Sequence, residues 1–246
     1  MNMGITDKHN NQYLINQTLN WFDLDNEKNW VRNMQDPEKR DQLLAYGFDH
    51  PGAFTYQINS NGFRGKNFSQ DPGFIALGCS FTSGIGLPES QVWPTIVGKE
   101  LNLNPCNLGI GGCGLDTCFR MLVNYIDKLN PRFVMLLIPD SGRFEIHHQG
   151  TPWPIMYNSN YLPETIATVK KMWLADEQNS IVNHTKNMLA IRQLCQDRMI
   201  KLISKPLYPT LLGTRRTNGK WPASRDLVHV GYAEQQHCAQ QFLNDL

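Results

Sequence analysis

Apolar and polar positions are distributed unevenly along the chain, and the change falls near residue 73. Up to about that point the sequence is rich in Asn, Asp and Gln, and no strand–helix alternation repeats. Within it, FTYQINSNGFRG predicts a hairpin, because Asn61-Gly62 is a dipeptide that tolerates positive φ in a tight turn between short strands. From Phe74 onward apolar runs alternate with periodic segments. FIALGCS reads as a short buried strand, and PESQVWPTIVGKELN as a helix with Pro88 near its start and a bend at Pro94. CNLGI is a second strand. LDTCFRMLVNYIDKLN has helical spacing, with Phe119, Leu122, Val123 and Ile126 on its apolar side. RFVMLLIPD is almost continuously apolar, as a strand buried on both faces would be. HHQGTPWPIMYNSNY reads as irregular. Helical patterns follow near 163–176 and 179–198, then the strand MIKLIS and a closing helix, YAEQQHCAQQFLNDL.

This alternation predicts an α/β protein whose central parallel sheet carries helices on both faces, preceded by an extension over residues 1–72. In such sheets sites form outside the carboxyl ends of the strands. With 246 residues and 41% hydrophobic content, the chain can bury a substantial core as one large domain. The formal net charge of +1 supplies no global field that would draw in nucleic acid or a membrane surface, so neither is expected as a partner. The first twenty residues lack a secretory pattern, and no apolar run reaches membrane-spanning length. Six cysteines without CxxC or finger spacing sit mostly in apolar segments; together these features predict a cytoplasmic protein.

Candidate chemistry gathers at the predicted strand ends. Ser80, in GCSFTSGIGL, follows the first buried strand. A serine is a weak nucleophile unless a base takes its proton and a third group orients that base. RDLVHVGYAEQQ offers such a pair, with Asp226 three residues before His229 in a loop ahead of the last helix. The same residues admit a plainer reading, Asp226 as a turn residue and His229 as a solvated neighbour of the helix. NLGIGGCGLD places glycines 109, 111, 112 and 114 at a helix start, where backbone N–H groups can hold an oxyanion. LLIPDSGR supplies another polar strand end.

LGCS, NLGIGG and DLVH together resemble blocks one, two and five of the SGNH hydrolases, also called GDSL esterases and lipases, over residues 73–246. The resemblance implies a three-layer α/β/α, flavodoxin-like fold without a cofactor. It implies Ser80 as nucleophile, His229 as base, Asp226 as its orienting partner, and Ser80 and Gly112 as backbone oxyanion donors. Two departures stand out. Cys79 occupies a position usually held by Asp, and the Gly-x-Asn-Asp of block three is absent. The family's Asn side chain is the third oxyanion donor, and aligning LLIPDSGR by its strand puts Ser141 in that place, with Asp140 and Arg143 beside it. The implied substrate is a small-molecule or glycan ester, cleaved by water or passed to another alcohol; a weak or inactive binding module on the same scaffold is the alternative.

Other readings compete. Gly109, Gly111 and Gly114 satisfy the Gly-x-Gly-x-x-Gly of a dinucleotide-binding protein, with Asp140 closing the next strand as a ribose-binding acid would. An elbow of the Gly-x-Ser-x-Gly kind would need glycine at Thr82. Cys79 and Cys113 lie beside glycine turns without a cue for a low thiol pKa. His147-His148 lacks the partners of a metal site and reads as a surface pair. The basic group Arg215, Arg216, Lys220 and Arg225 reads as a solvated loop, with an anionic substrate as its functional alternative. Trp21, Phe22, Trp30, Trp153 and Trp221 are candidates to line a cleft or to pack a core.

Overall fold

The computed structural model describes residues 5–9, 11–69, 73–160, 162–210 and 223–246. Arg215, Arg216, Lys220 and Trp221 lie outside the described residues.

The N-terminal region contributes β1 (Thr18–Leu19), α1 (Glu27–Gln35), α2 (Pro37–Ala45) and β2 (Tyr56–Gln57). Asn26 caps α1 by accepting from Asn29 N, and Asp36 caps α2, whose first residue is Pro37. The chain does reverse at Asn61-Gly62, with Gly62 at φ 83°, but extended pairing there is the single bridge Ile58–Arg64. Tyr56 and Gln57 pair instead with Leu19 and Thr18.

The sheet begins with β3 (Phe74–Leu77), followed by the short helix α3 (Ser80–Ser83) and α4 (Trp93–Leu101). Pro94 does not bend a helix. It occupies the first turn of α4, where its missing N–H is no loss, and the residues before it form a separate 3-10 turn, Glu89–Gln91. Next come β4 (Pro105–Asn107), α5 (Leu115–Leu129) and β5 (Phe133–Ile138). The buried stripe of α5 runs through Leu115, Cys118, Leu122 and Ile126, with Phe119 and Val123 half-buried beside it.

The stretch read as irregular contains a β-ribbon, β6 (Phe144–His148) and β7 (Thr151–Ile155). Gln149 and Gly150 both have positive φ, 51° and 73°, the backbone of a two-residue primed turn. Pro152 and Pro154 disguise β7 in the sequence. They face His147 and Glu145 on an otherwise unpaired strand, where a proline is tolerated at positions that need not donate to the ladder. The chain continues through α6 (Glu164–Leu174), α7 (Glu177–Asp197), β8 (Lys201–Pro206), an irregular turn α8 (Leu207–Thr210) and α9 (Tyr232–Leu243).

The main sheet is wholly parallel, in the order β4-β3-β5-β8. Counted along the chain this is 2-1-3-4, the flavodoxin-like order, with its switch point between β3 and β5. Those central strands are buried along nearly their whole length, as their apolar sequences require. Helix α4 packs on α9 and α5 on α7, and right-handed crossovers put the two pairs on opposite faces. The result is a three-layer α/β/α fold. No described helix is long and apolar enough to cross a membrane. All six cysteines are free and buried.

The first seventy or so residues are bound into this body rather than lying beside it. Phe22, Tyr56 and Ile58 share an apolar cluster with Ile85, while Leu43 and Phe48 share another with Leu87 and Leu227. Arg64 donates to the carbonyls of Ser83, Gly84 and Leu87, the turns that follow the Ser80 helix. Arg225 is fully buried and ion-paired with Asp25, Nη2 to Oδ2 at 2.7 Å. The solvated-loop reading therefore fails for Arg225: a guanidinium wrapped by carboxylate and backbone carbonyls is a structural tie, out of reach of any substrate.

Candidate active site

Ser80 opens α3 directly beyond β3, and the glycine before that turn is obligatory. Gly78 has φ 151°, and a Cβ there would run into Thr82 Oγ1 and the Leu137 carbonyl of the neighbouring strand. Its own carbonyl accepts from Ile110 N at 3.1 Å and from Cys113 Sγ at 3.2 Å, which ties the nucleophile strand to the glycine loop after β4. Ser80 keeps 8% of its surface exposed, all that a buried turn leaves open.

His229 is held by a tight local network. Asp226 Oδ2 lies 2.5 Å from His229 Nδ1, and Oδ1 accepts from the backbone N–H of Val228 at 3.0 Å and of His229 at 3.1 Å. Ser224 Oγ lies 2.8 Å from Asp226 Oδ1 and 2.5 Å from the His229 carbonyl, and gives its one proton to either. The loop closes through Leu227 in the left-handed region, φ 54°. Burial works to raise the Asp226 carboxyl; the His229 charge, the ring hydrogen bond and the two N–H groups outweigh it and hold the acid well below the usual carboxylate range. An ionised Asp226 fixes the His229 tautomer with the proton on Nδ1 and leaves Nε2 to act as acceptor.

Two buried contacts register this loop against the Ser80 helix. Gln235 in α9 accepts from Trp93 N at 2.9 Å and donates to the Phe81 carbonyl at 3.0 Å. The Phe81 ring meets the His229 imidazole edge-on, with centroids 5.1 Å apart.

Ser80, Gly112 and His229 line one cleft of about 300 Å³, at the carboxyl end of the sheet and over its switch point. Asp226 stands behind the imidazole. Gly112, at φ 71°, presents backbone beside Met156. Asp23, Asp140, Arg143, Tyr157, Asn158 and Tyr208 complete much of the wall. Desolvation raises the Asp23 carboxyl; nearby His229 opposes that and Asp226 adds to it.

Ser141 is not part of this arrangement. Asp140 to Arg143 form a β-turn, Arg143 N to Asp140 O at 3.2 Å and Gly142 N to Asp140 Oδ1 at 2.9 Å, which leaves Ser141 exposed and brings the chain back to the cleft at Arg143. The signal was present in Pro139-Asp140-Ser141-Gly142, a turn-forming sequence that an alignment by strand position ignores. Asp23, which reaches the site from the N-terminal region, had no local signal. None of Trp21, Phe22, Trp30 or Trp153 lines the cleft. Trp21 instead stacks on the buried Arg225 guanidinium, 4.3 Å from ring centroid to Cζ.

The dinucleotide reading finds no support in the structure. Strand β5, which Asp140 follows, pairs with β3 and β8 and not with β4, which leads into the glycine loop. Gly109, Gly111 and Gly114 also have protein on the side where a Cβ would point. A Cβ on Gly109 would strike Ser83 N, one on Gly111 the Asp23 carboxylate, and one on Gly114 the Arg143 carbonyl. Among the described residues no cluster of His, Cys, Asp or Glu is arranged to hold a metal ion. Burial pushes the Cys79 and Cys106 thiols up, the latter to about 11, and Cys113 is raised by its contact with Cys118 together with burial.

The fold and site thus define a three-layer parallel α/β protein with serine, histidine and aspartate gathered at a topological switch point. Comparison with protein-family models finds no match, and no curated protein matches the chain. Among solved structures, the psychrotrophic esterase EstA from Pseudoalteromonas sp. is 12% identical, over 71% of this chain and 96% of that one, with a TM-score of 0.39. TesA is 14% identical over 70% of this chain and 96% of its own, with a TM-score of 0.37. The acetyl xylan esterase Est2A from the rumen bacterium Butyrivibrio proteoclasticus is 13% identical over 76% of this chain and 66% of its own, also at 0.37. Likenesses this distant assign no role to any residue of this chain, and its chemistry rests on the site itself.

Proposed function

We propose that the protein is a serine hydrolase of the SGNH type, cleaving an acyl or acetyl ester of a small molecule or glycan through an acyl-enzyme. The observation that carries this is one cleft lined by Ser80, Gly112 and His229, with Asp226 bonded to the far side of the imidazole. In the first step His229 Nε2 takes the Ser80 proton as Oγ bonds to the carbonyl carbon, and the C=O pair moves onto oxygen. The N–H groups of Ser80 and Gly112 receive that charge. Collapse re-forms C=O and expels the alcohol, which leaves with the proton from His229. Water then repeats the sequence on the acyl-enzyme. Transfer to a second alcohol shares the first half and needs only that alcohol in place of water.

A fluorophosphonate probe tests the proposal, because phosphonylation requires an activated serine. The wild type is expected to label at Ser80 and to hydrolyse p-nitrophenyl acetate. Ser80→Ala is expected to lose labelling and at least about 10⁴-fold in kcat, while melting within about 3 °C of wild type. Labelling of the variant at the wild-type rate overturns the proposal.

A further inference from the structure

We infer that Arg143 is the third oxyanion donor of this site, its guanidinium doing what Ser141 is not placed to do. The inference rests on the serine hydrolase reading above and adds a residue to it.

Arg143 lines the same cleft as Ser80 and Gly112, and its Nη1 is buried with no hydrogen-bond partner. An unpartnered guanidinium nitrogen inside a protein is costly, and most buried cations are paired. No salt bridge is made to Arg143 among the described residues. Of the two acids nearest in sequence, Glu145 is ion-paired with Arg120 and Asp140 spends Oδ1 on the N–H of Gly142. The neighbouring Cys79 thiol does not supply the missing anion, since burial raises it and keeps it neutral. Arg143 lines the cleft, and negative charge that arrives there or develops there would give the guanidinium the counter-charge it lacks.

Position argues for the second. Cys79 directly precedes Ser80, and the guanidinium hydrogen-bonds the Cys79 side chain, one residue from the nucleophile and its N–H donor. On the other side the Arg143 carbonyl presses against Gly114, where no Cβ fits, and Gly114 belongs to the same loop as Gly112. The turn from Asp140 to Arg143 fixes the remaining freedom of the backbone. Arg143 is therefore braced between the two segments that supply the other donors. During attack the carbonyl π pair moves to oxygen, and the guanidinium donates a hydrogen bond to it without releasing its proton, which arginine does not give up. When the intermediate collapses, the charge returns to the C=O bond and Arg143 is unchanged. A charged donor makes a bond roughly twice as strong as a neutral one, so the hole does not need an amide at the position of Ser141.

The test compares wild type with Arg143→Ala, Arg143→Gln and Arg143→Lys in three measurements: kcat and KM for p-nitrophenyl acetate, the same for a succinate half-ester carrying a free carboxylate, and the rate of Ser80 phosphonylation. Arg143→Ala is expected to lose about 10²–10³ in kcat on both esters with KM within threefold, and to label more slowly. Millimolar guanidinium added to that variant is expected to restore part of kcat, which a packing role would not allow. Arg143→Lys and Arg143→Gln, each keeping a donor, are expected to fall between, and they carry the test should the alanine variant fail to fold. A kcat within threefold of wild type in every variant overturns the inference, as does a deficit confined to KM for the carboxylate ester. In either case wild-type labelling at Ser80 leaves the hydrolase reading standing. A wild type that never labels removes that reading first.

Discussion

Removing the Asp25 carboxylate tests how far the N-terminal region is part of the working protein. The Arg225 side chain is 0% exposed and that of Asp25 1%. Arg225 Nε donates to both Asp25 oxygens at 3.1 and 2.9 Å, and Nη1 to the carbonyls of Pro51 at 2.8 Å and Phe54 at 3.3 Å. Nη2 serves Asp25 at 2.7 Å and the Asn20 carbonyl. All five N–H groups are thus engaged, and the rings of Trp21 and Phe54 cover the guanidinium faces. Tyr56 Oη also donates to Asp25. Asp25→Ala leaves the cation buried without a counter-charge, a loss of about 3–5 kcal/mol. For a chain this long each kcal/mol moves Tm by about 2–4 °C, so a drop of roughly 6–20 °C is expected. Asp25→Asn keeps acceptor and shape but not charge, and should fall between. Because Asp226 follows Arg225 directly, phosphonylation of Ser80 should also slow at temperatures where the variant is still folded. The assays are thermal unfolding by circular dichroism and fluorophosphonate labelling over time. A Tm within 2 °C of wild type for Asp25→Ala would refute the reasoning, since a buried guanidinium cannot lose its only carboxylate so cheaply.

Two further expectations concern the base loop. Gly86 has φ 82°, and a Cβ there would approach Ser224 Cβ at 2.8 Å and Asp226 Oδ1 at 2.9 Å; Gly86→Ala should cost at least about 1 kcal/mol, lower Tm by several degrees and slow labelling of Ser80. A variant with wild-type labelling would show that the loop tolerates displacement. The pH dependence follows from the depressed Asp226 acid. A carboxyl lowered on folding contributes stability that is fully present above its unfolded value, near about 4, and is lost as pH falls through the folded value. The difference in Tm between wild type and Asp226→Asn should therefore be level from pH 5 to 8 and shrink below pH 4; a difference that grows with acidity would reverse the assignment.

Local signals carried the sheet. FIAL and FVMLLI are apolar enough to be central strands, and LDTCFRMLVNYIDKL is amphipathic enough to be a helix whatever surrounds it. Ser80, Gly112 and the Asp226-His229 pair were legible for the same reason: each belongs to a short segment whose residue types suit one backbone shape. What escaped was decided by distance in sequence or by a turn. Pro152 and Pro154 hid a strand that tolerates them only because its partner lies on one side. Ser141 and Arg143 exchanged places because a β-turn, not a count along the strand, determines which side chain returns to the cleft. Arg225 read as solvated because nothing near it in sequence announces Asp25.

That last pairing also sets the order in which the site can come into being. Asp25 and Arg225 are 200 residues apart, and Ser80 precedes His229 by 149 residues. At roughly 5–20 residues per second, a ribosome releases the Ser80 strand about 7–30 s before the histidine that shares its cleft. Through that interval Ser80 has no imidazole beside it. The cleft is complete only once the early and late parts of the chain have met, and its shape is the last thing the chain acquires.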